Sequence, residues 1–160
     1  GGDYECINIY TGLITAKEIA KADVVFVSMG PGIAGTGTKY GFTGIEQGQI
    51  LDAVKKLGGN PIAIPRISFA DKRDRHQGIS HHSITVFDKI VNVDVNIPIT
   101  IYESQKLNKI KEQIKENKLD EKHNIIFIEN NKCKEDLEYF GLKVKSMGRN
   151  YDEDSEFFSK

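Results

Sequence analysis

The chain has 160 residues, a net charge of −1 and 39% hydrophobic residues. That is enough for one domain with a real core and too short for two, and the near-zero charge gives no case for nucleic acid or an anionic membrane as partner. No apolar run approaches the length of a bilayer span, no basic-then-apolar leader is present, and Cys6 and Cys133 are too few and too distant for a disulfide framework or a zinc site. Two free thiols fit a reducing cytoplasm, the expected location. The chain opens on Gly1-Gly2-Asp3 without a methionine. The expectation is a single α/β domain over residues 1–160, the C-terminal part of a longer protein.

In chain order, Asn8–Ala22 carries Ile9, Leu13, Ala16 and Ala20 at near-helical spacing. Asp23-VVFVSM then forms a continuous apolar run, the pattern of a strand covered on both faces. Seven of the fifteen glycines follow between Gly30 and Gly48. The next helix is predicted from a Thr43/Glu46 capping box, with Ile50, Leu51, Val54 and Leu57 on one face and Gly58-Gly59 as the stop. Pro61-IAIPRIS reads as a second strand that ends or bends at Pro65.

A polar loop, Phe69 to Ile79, leads to Ser80, a good N-cap for a helix with Ile84, Phe87, Ile90 and Val91 inward. Ile97-PITIYES is a strand, and Leu107, Ile110 and Ile114 mark a lysine-rich helix whose lysines read as solvated surface. His123-NIIFIE is another strand, Leu137 and Phe140 anchor a short helix ended by Gly141, Leu142-KVKSM is a last strand, and Asp152–Phe158 a terminal helix. This alternation predicts a mostly parallel sheet with helices on both faces, a three-layer, Rossmann-like α/β architecture. Ligands bind such sheets beyond the carboxyl ends of the strands. That rim would gather the loops after Met29 and Ser68, Glu103-Ser104, Glu129-Asn130-Asn131 and Gly148-Arg149.

Two clusters therefore become the candidate site. Gly30-Pro-Gly32-Ile-Ala-Gly35 satisfies G-x-G-x-x-G, but the helix begins too late, at Thr43, and the second strand ends in Arg66 rather than an acid. The P-loop pattern fails as well, with threonine in place of lysine. What survives is a nest of backbone N–H donors through Gly30, Gly32, Gly35 and Gly37, the hydroxyls of Thr36 and Thr38, and nearby Lys39. The bland alternative is a structural crossover. Arg66 and the segment Ser68-FADKRDRHQGISHH, with Arg73 and Arg75, supply arginines for carboxylate or phosphate contacts, and the segment adds His76, His81 and His82 for proton transfer, oriented by Asp71.

A helix N-terminus favours neutral imidazole at His81 and His82; being adjacent, they are expected to point apart, with only one facing the rim. One of them could join His76, Asp71, Asp3 or Glu5 around a metal, but no spacing matches a known signature, so no metal ligands and no cofactor are assigned. The alternative for this segment is a solvated charged loop. Tyr40, Phe42 and Phe69 could stack on a ligand ring or seal the core edge.

GGDYE, MGPGIAGTGTKYGFTGIEQG, the Gly59-Asn60-Pro61 turn, RISFADKRDRHQGISHH and SMGRNYDEDSEFF occur in that order from Gly1 to about Phe158. Together they resemble the bacterial domain of unknown function 3866 family. The resemblance implies a cytoplasmic bacterial protein, with further sequence before the GGD motif, and it supplies no activity and no catalytic residues.

The residues themselves predict an enzyme acting on a small anionic, phosphorylated or nucleotide-like molecule by hydrolysis or group transfer. The alternatives are a non-catalytic metabolite-binding or regulatory domain and a metal-dependent hydrolase. A structural assembly role and a homo-oligomer stay open.

Overall fold

The computed structural model describes residues 1–29, 32–129 and 132–159. Helix α1 (Ile9–Ile14) is capped by Asn8, whose side chain accepts from the Thr11 N–H, and it continues as a π-helical turn over Thr15–Ile19. A 3-10 turn, Thr43–Ile45, leads into α2 (Glu46–Lys56), which stops where Gly58 takes a positive φ of 79°. The expected capping box does not form: Thr43 Oγ1 accepts from the Ala34 N–H instead, at 3.2 Å.

Strand β1 (Ile67–Ser68) pairs antiparallel with β2 (Gly78–Ile79). Helix α3 (His81–Thr85) follows at once, capped by Ser80 as expected, and extends as a π-helical segment over Val86–Ile90. Strand β3 (Asn96–Thr100), α4 (Ser104–Glu116), α5 (Leu119–Lys122) and β4 (Asn124–Ile128) come next, with β3 and β4 parallel and in register from Asn96↔Asn124 to Thr100↔Ile128. The chain ends in α6 (Cys133–Tyr139), a short hairpin of β5 (Lys145–Ser146) and β6 (Arg149–Asn150), and α7 (Ser155–Phe158).

The three-layer Rossmann-like sheet is therefore wrong. Each sheet among the described residues has two strands, one pair parallel and two antiparallel. The chemistry of proline explains much of the loss. Residues 61–63 begin to pair beside β3, with Ala63 N–H donating to Asn96 O at 2.8 Å and Asn96 N–H donating to Pro61 O at 3.0 Å. Peptide groups alternate sides along a strand, so the next N–H facing this neighbour would belong to residue 98. Residue 98 is proline, which has none, and Pro65 lacks its own donor. The ladder stops at a single bridge, Ile62↔Asn96.

The expected strand at Asp23–Met29 also fails. Its side chains face solvent, Val24 at 71% and Phe26 at 88% exposure, and no ladder pairs with it among the described residues. The expected last strand shrinks to Lys145–Ser146, and Phe140, 66% exposed, does not anchor α6.

One core survives. Ile67 and Ile79 from the first pair, Ile97 and Ile99 from β3, Val86 and Phe87 after α3, Leu51 from α2, and Ile110 and Ile114 from α4 are all buried together. Fully burying each such side chain contributes about 1.5–3 kcal/mol. This core holds the β1–β2 turn and the start of α3 in place, and that is where the candidate residues gather.

Candidate functional site

The site is built from the loop between β1 and β2 and from the first turn of α3. Ser80 ties them: its N–H donates to Arg66 O at 2.8 Å, while Arg66 N–H donates to Ser83 Oγ at 2.9 Å. From the other side, Gln113 of α4 clamps the β2 strand. Its Oε1 accepts from Ile79 N–H at 2.9 Å, and its Nε2 donates to Gln77 O and Ile79 O. This clamp sits hard against Gly78, which holds a positive φ of 73° and has no room for a Cβ beside Gln113 Oε1.

Within that frame a 3-10 turn, Asp74–His76, swings His76 under the start of α3. His76 is 4% exposed, and its Nδ1 lies 2.8 Å from Ser80 Oγ. The three imidazoles of His76, His81 and His82 then meet. Their ring centroids are 4.9 Å apart for His76–His81, 5.5 Å for His76–His82 and 4.0 Å for His81–His82. One ring nitrogen from each lies within 4.8 Å of the others. The expected divergence of His81 and His82 is thus overturned, because at the first turn of α3 both rings fold back over the same loop. Phe42 stacks on His82 at 4.4 Å and 25°, which closes the cluster on a third side.

The electrostatics keep these rings neutral. His76 is pushed down to about 4 by burial first and then by the charges of Arg66 and Arg73. His82 is pushed down to about 4 by burial, then by His81 and Arg75, and His81 is lowered by burial and by Arg75. Burial is the largest cause at each of the three rings. His81 Nε2 is buried and has no hydrogen-bond partner among the described residues, and Arg66 Nη1 is in the same position.

Asp71 orients arginines rather than a histidine. It accepts from Arg73 Nε at 3.0 Å, Arg73 Nη2 at 2.9 Å, the Arg73 N–H at 3.1 Å and Arg66 Nη2 at 3.1 Å. Arg73, followed by Arg66, holds its carboxyl well below the usual carboxylate range. Its backbone carbonyl accepts from Gln77 Nε2. Arg75 is exposed on the 3-10 turn and acts on the cluster through its charge. Next to Asp71 lies an open groove of about 510 Å³ lined by Ala70, Lys72, Arg73, Met147 and Arg149.

The glycine segment folds as a hairpin. Gly30 lies outside the described residues. Gly32, Gly35, Thr36, Gly37 and Thr38 belong to a tight hairpin whose arms bridge at Gly35↔Phe42. Thr36 N–H donates to Gly41 O at 2.7 Å, Thr43 N–H donates to Ala34 O at 2.9 Å, and the Thr36 and Thr38 hydroxyls bond each other at 3.0 Å. The Thr36 N–H and the Thr36 and Thr38 hydroxyls thus have partners within the hairpin, and the expected anion nest rests on the N–H groups of Gly32, Gly35 and Gly37. What the hairpin does is deliver Phe42 to His82.

Several contributors were invisible in the sequence. Ser80 was legible as a cap but not as the partner of His76. Gln113 carried a signal, since it follows Ile110 by three positions and so shares the buried side of α4. Asp154, 2% exposed, accepts from Arg149 Nε at 2.9 Å and Ser68 Oγ at 2.8 Å, and nothing local announced it.

Among the described residues no helix is long and apolar enough to cross a membrane. No curated protein and no solved structure matches the chain. The model of one family, protein of unknown function (DUF3866), matches residues 1–160, which is the whole chain, and the protein belongs to that family.

Proposed function

We propose that the histidine cluster is the reaction centre of an enzyme that hydrolyses, or transfers a group from, a small anionic molecule. The observation that carries this reading is the buried His81 Nε2, unpartnered within a set of neutral imidazoles, together with Arg66, whose charge acts on the His81 ring and whose Nη1 is also without a partner among the described residues. A buried polar atom without a partner costs about 1–3 kcal/mol, and a bound ligand, water or ion is one way in which that cost is met. A neutral imidazole can take a proton from an attacking water or hydroxyl group. Arg66, anchored by Asp71 through Nη2, keeps Nη1 free to meet the negative charge that develops on the substrate.

The test is turnover of chromogenic phosphomonoesters, phosphodiesters and carboxylate esters by the wild type and by His81→Asn and Arg66→Lys. His81→Asn is expected to lower kcat by about 100-fold or more. Arg66→Lys is expected to lower kcat more than it raises KM, because lysine cannot hold Asp71 through one nitrogen and offer a second to the developing charge. Turnover unaffected by His81→Asn sinks the reading.

A further inference from the structure

We propose that His76, His81 and His82 together hold one divalent transition-metal ion, zinc in the first instance, with a fourth position open to water or substrate. This rests on the reading above and uses the same cluster, with one change of role: all three imidazoles would be committed to the ion, and a water at its open position would supply the nucleophile in place of an imidazole base. Three imidazole nitrogens from two adjoining turns already lie within 4.8 Å of one another. A tetrahedral ion with bonds of about 2.0–2.1 Å would draw them to about 3.4 Å apart, a closure that imidazole rotation supplies.

Three further observations point to an ion rather than to a packed aromatic cluster. The first is the buried His81 Nε2 without a partner, a lone pair or N–H that the protein itself does not satisfy. The second is Ser80. Its Oγ accepts from the His82 N–H and lies 2.8 Å from His76 Nδ1, so a proton on Nδ1 leaves the His76 Nε2 lone pair free. Metal-binding histidines are commonly oriented by such an outer hydrogen bond on the second nitrogen. The third is Phe42, which packs flat on His82 and fixes the plane of that ring.

The donor set decides the kind of ion. Asp71, the acidic residue of this loop nearest in sequence to His76 apart from Asp74, is saturated by Arg66 and Arg73 and offers nothing to a cation. Three neutral nitrogens with no carboxylate suit zinc, cobalt, nickel or copper and do not suit magnesium or calcium. Three protein ligands and an open fourth position are the arrangement of a catalytic rather than a structural site. The nearby arginines weaken the hold on a bare cation, so an anion bound at the open position strengthens it.

The full chain, carrying no histidine tag, is stripped with a chelator and titrated with Zn(II) and with Co(II), with and without inorganic phosphate. The expected result is uptake of one ion per chain, visible-band absorption of four-coordinate Co(II), and tighter binding with phosphate present. His81→Asn and His76→Asn should each weaken uptake at least tenfold, while Cys6→Ser and Cys133→Ser leave it unchanged. No saturable uptake by the wild type overturns the proposal, and so does uptake lost with the cysteines rather than with the histidines. Metal bound without turnover of any ester sustains the site and removes the hydrolase reading. Full turnover by the metal-free chain sustains the hydrolase reading and removes any part for the ion in it, while the site itself stands or falls on uptake.

Discussion

At the scale of single residues, Asp71 and Ser80 hold the site together. Asp71→Asn removes the charge that gathers Arg66 and Arg73 and should cost about 1–3 kcal/mol at neutral pH, read from urea-unfolding midpoints. Because Arg73 and Arg66 depress the folded-state pKa of Asp71, its contribution is fully present above the ordinary carboxylate value. It is lost as pH falls through the depressed folded-state value. The gap between wild type and Asp71→Asn should therefore be constant from neutral pH down to about 5 and narrow below about 4. A gap that widens on acidification contradicts the assignment.

Ser80→Ala removes an N-cap, worth about 1 kcal/mol. It also leaves His76 Nδ1 buried without its partner, for about a further 1–3 kcal/mol. A Ser80→Thr variant, which keeps the hydroxyl, should recover most of both. These roles were half legible in the sequence. Arg66, Asp71, Arg73 and the three histidines stood out as chemistry-bearing types, but residue type does not say that Asp71 would choose two arginines over a histidine. That choice follows from the turn that places Arg73 N–H and its side chain on the same carboxylate.

At the scale of elements, local pattern was dependable where one face met the core. Helices α2 and α4 lie where the apolar spacing put them, as do α3 with its Ser80 cap and strands β3 and β4. It failed where the outcome depended on a neighbour. Gly48 is an instance: counted with the ligand loop in sequence, it lies inside α2, where a Cβ would come within 2.6 Å of Ile90 Cγ2 and 3.0 Å of Ile90 Cβ. It permits α2 to lie close against the Val86–Ile90 turn. Gly48→Ala should cost about 1–3 kcal/mol by overpacking even though alanine is the better helix former, as a thermal melt would show. Gly78→Ala should be at least as damaging, since it combines a left-handed backbone with collision against Gln113. A Gly78→Ala/Gln113→Ala double variant removes the collision but not the backbone strain, and it also takes away the bonds that Gln113 makes to Gln77 and Ile79. It should restore only part of the stability.

At the scale of the whole molecule, the C-terminal segment works as a strap. Asp154 joins α7 to β1 through Ser68 and to β6 through Arg149. Thr100 Oγ1 donates to Ser159 O at 2.5 Å, and Lys106 pairs with Glu156 at 2.5 Å. Asp154→Ala strands a partly buried guanidinium and a buried hydroxyl, and should destabilise by about 3–5 kcal/mol in urea unfolding. Replacing Arg149 as well, in an Asp154→Ala/Arg149→Met variant, should cost less than the single change, because no unpaired charge is then left behind.

Composition and spacing alone determined that the chain folds around one core, where its longer helices run, and which segment carries the reactive side chains. These are properties of short stretches of sequence, set by apolar periodicity and by the chemistry of each side chain. The tertiary structure decided the sheets and the site. Whether an apolar run becomes a covered strand depends on a partner edge with free N–H groups, and Pro98 withholds one where Pro61–Ala63 would need it. Whether adjacent histidines converge depends on the loop beneath them, which brings His76 up against His81 and His82 across a fold that no local pattern encodes.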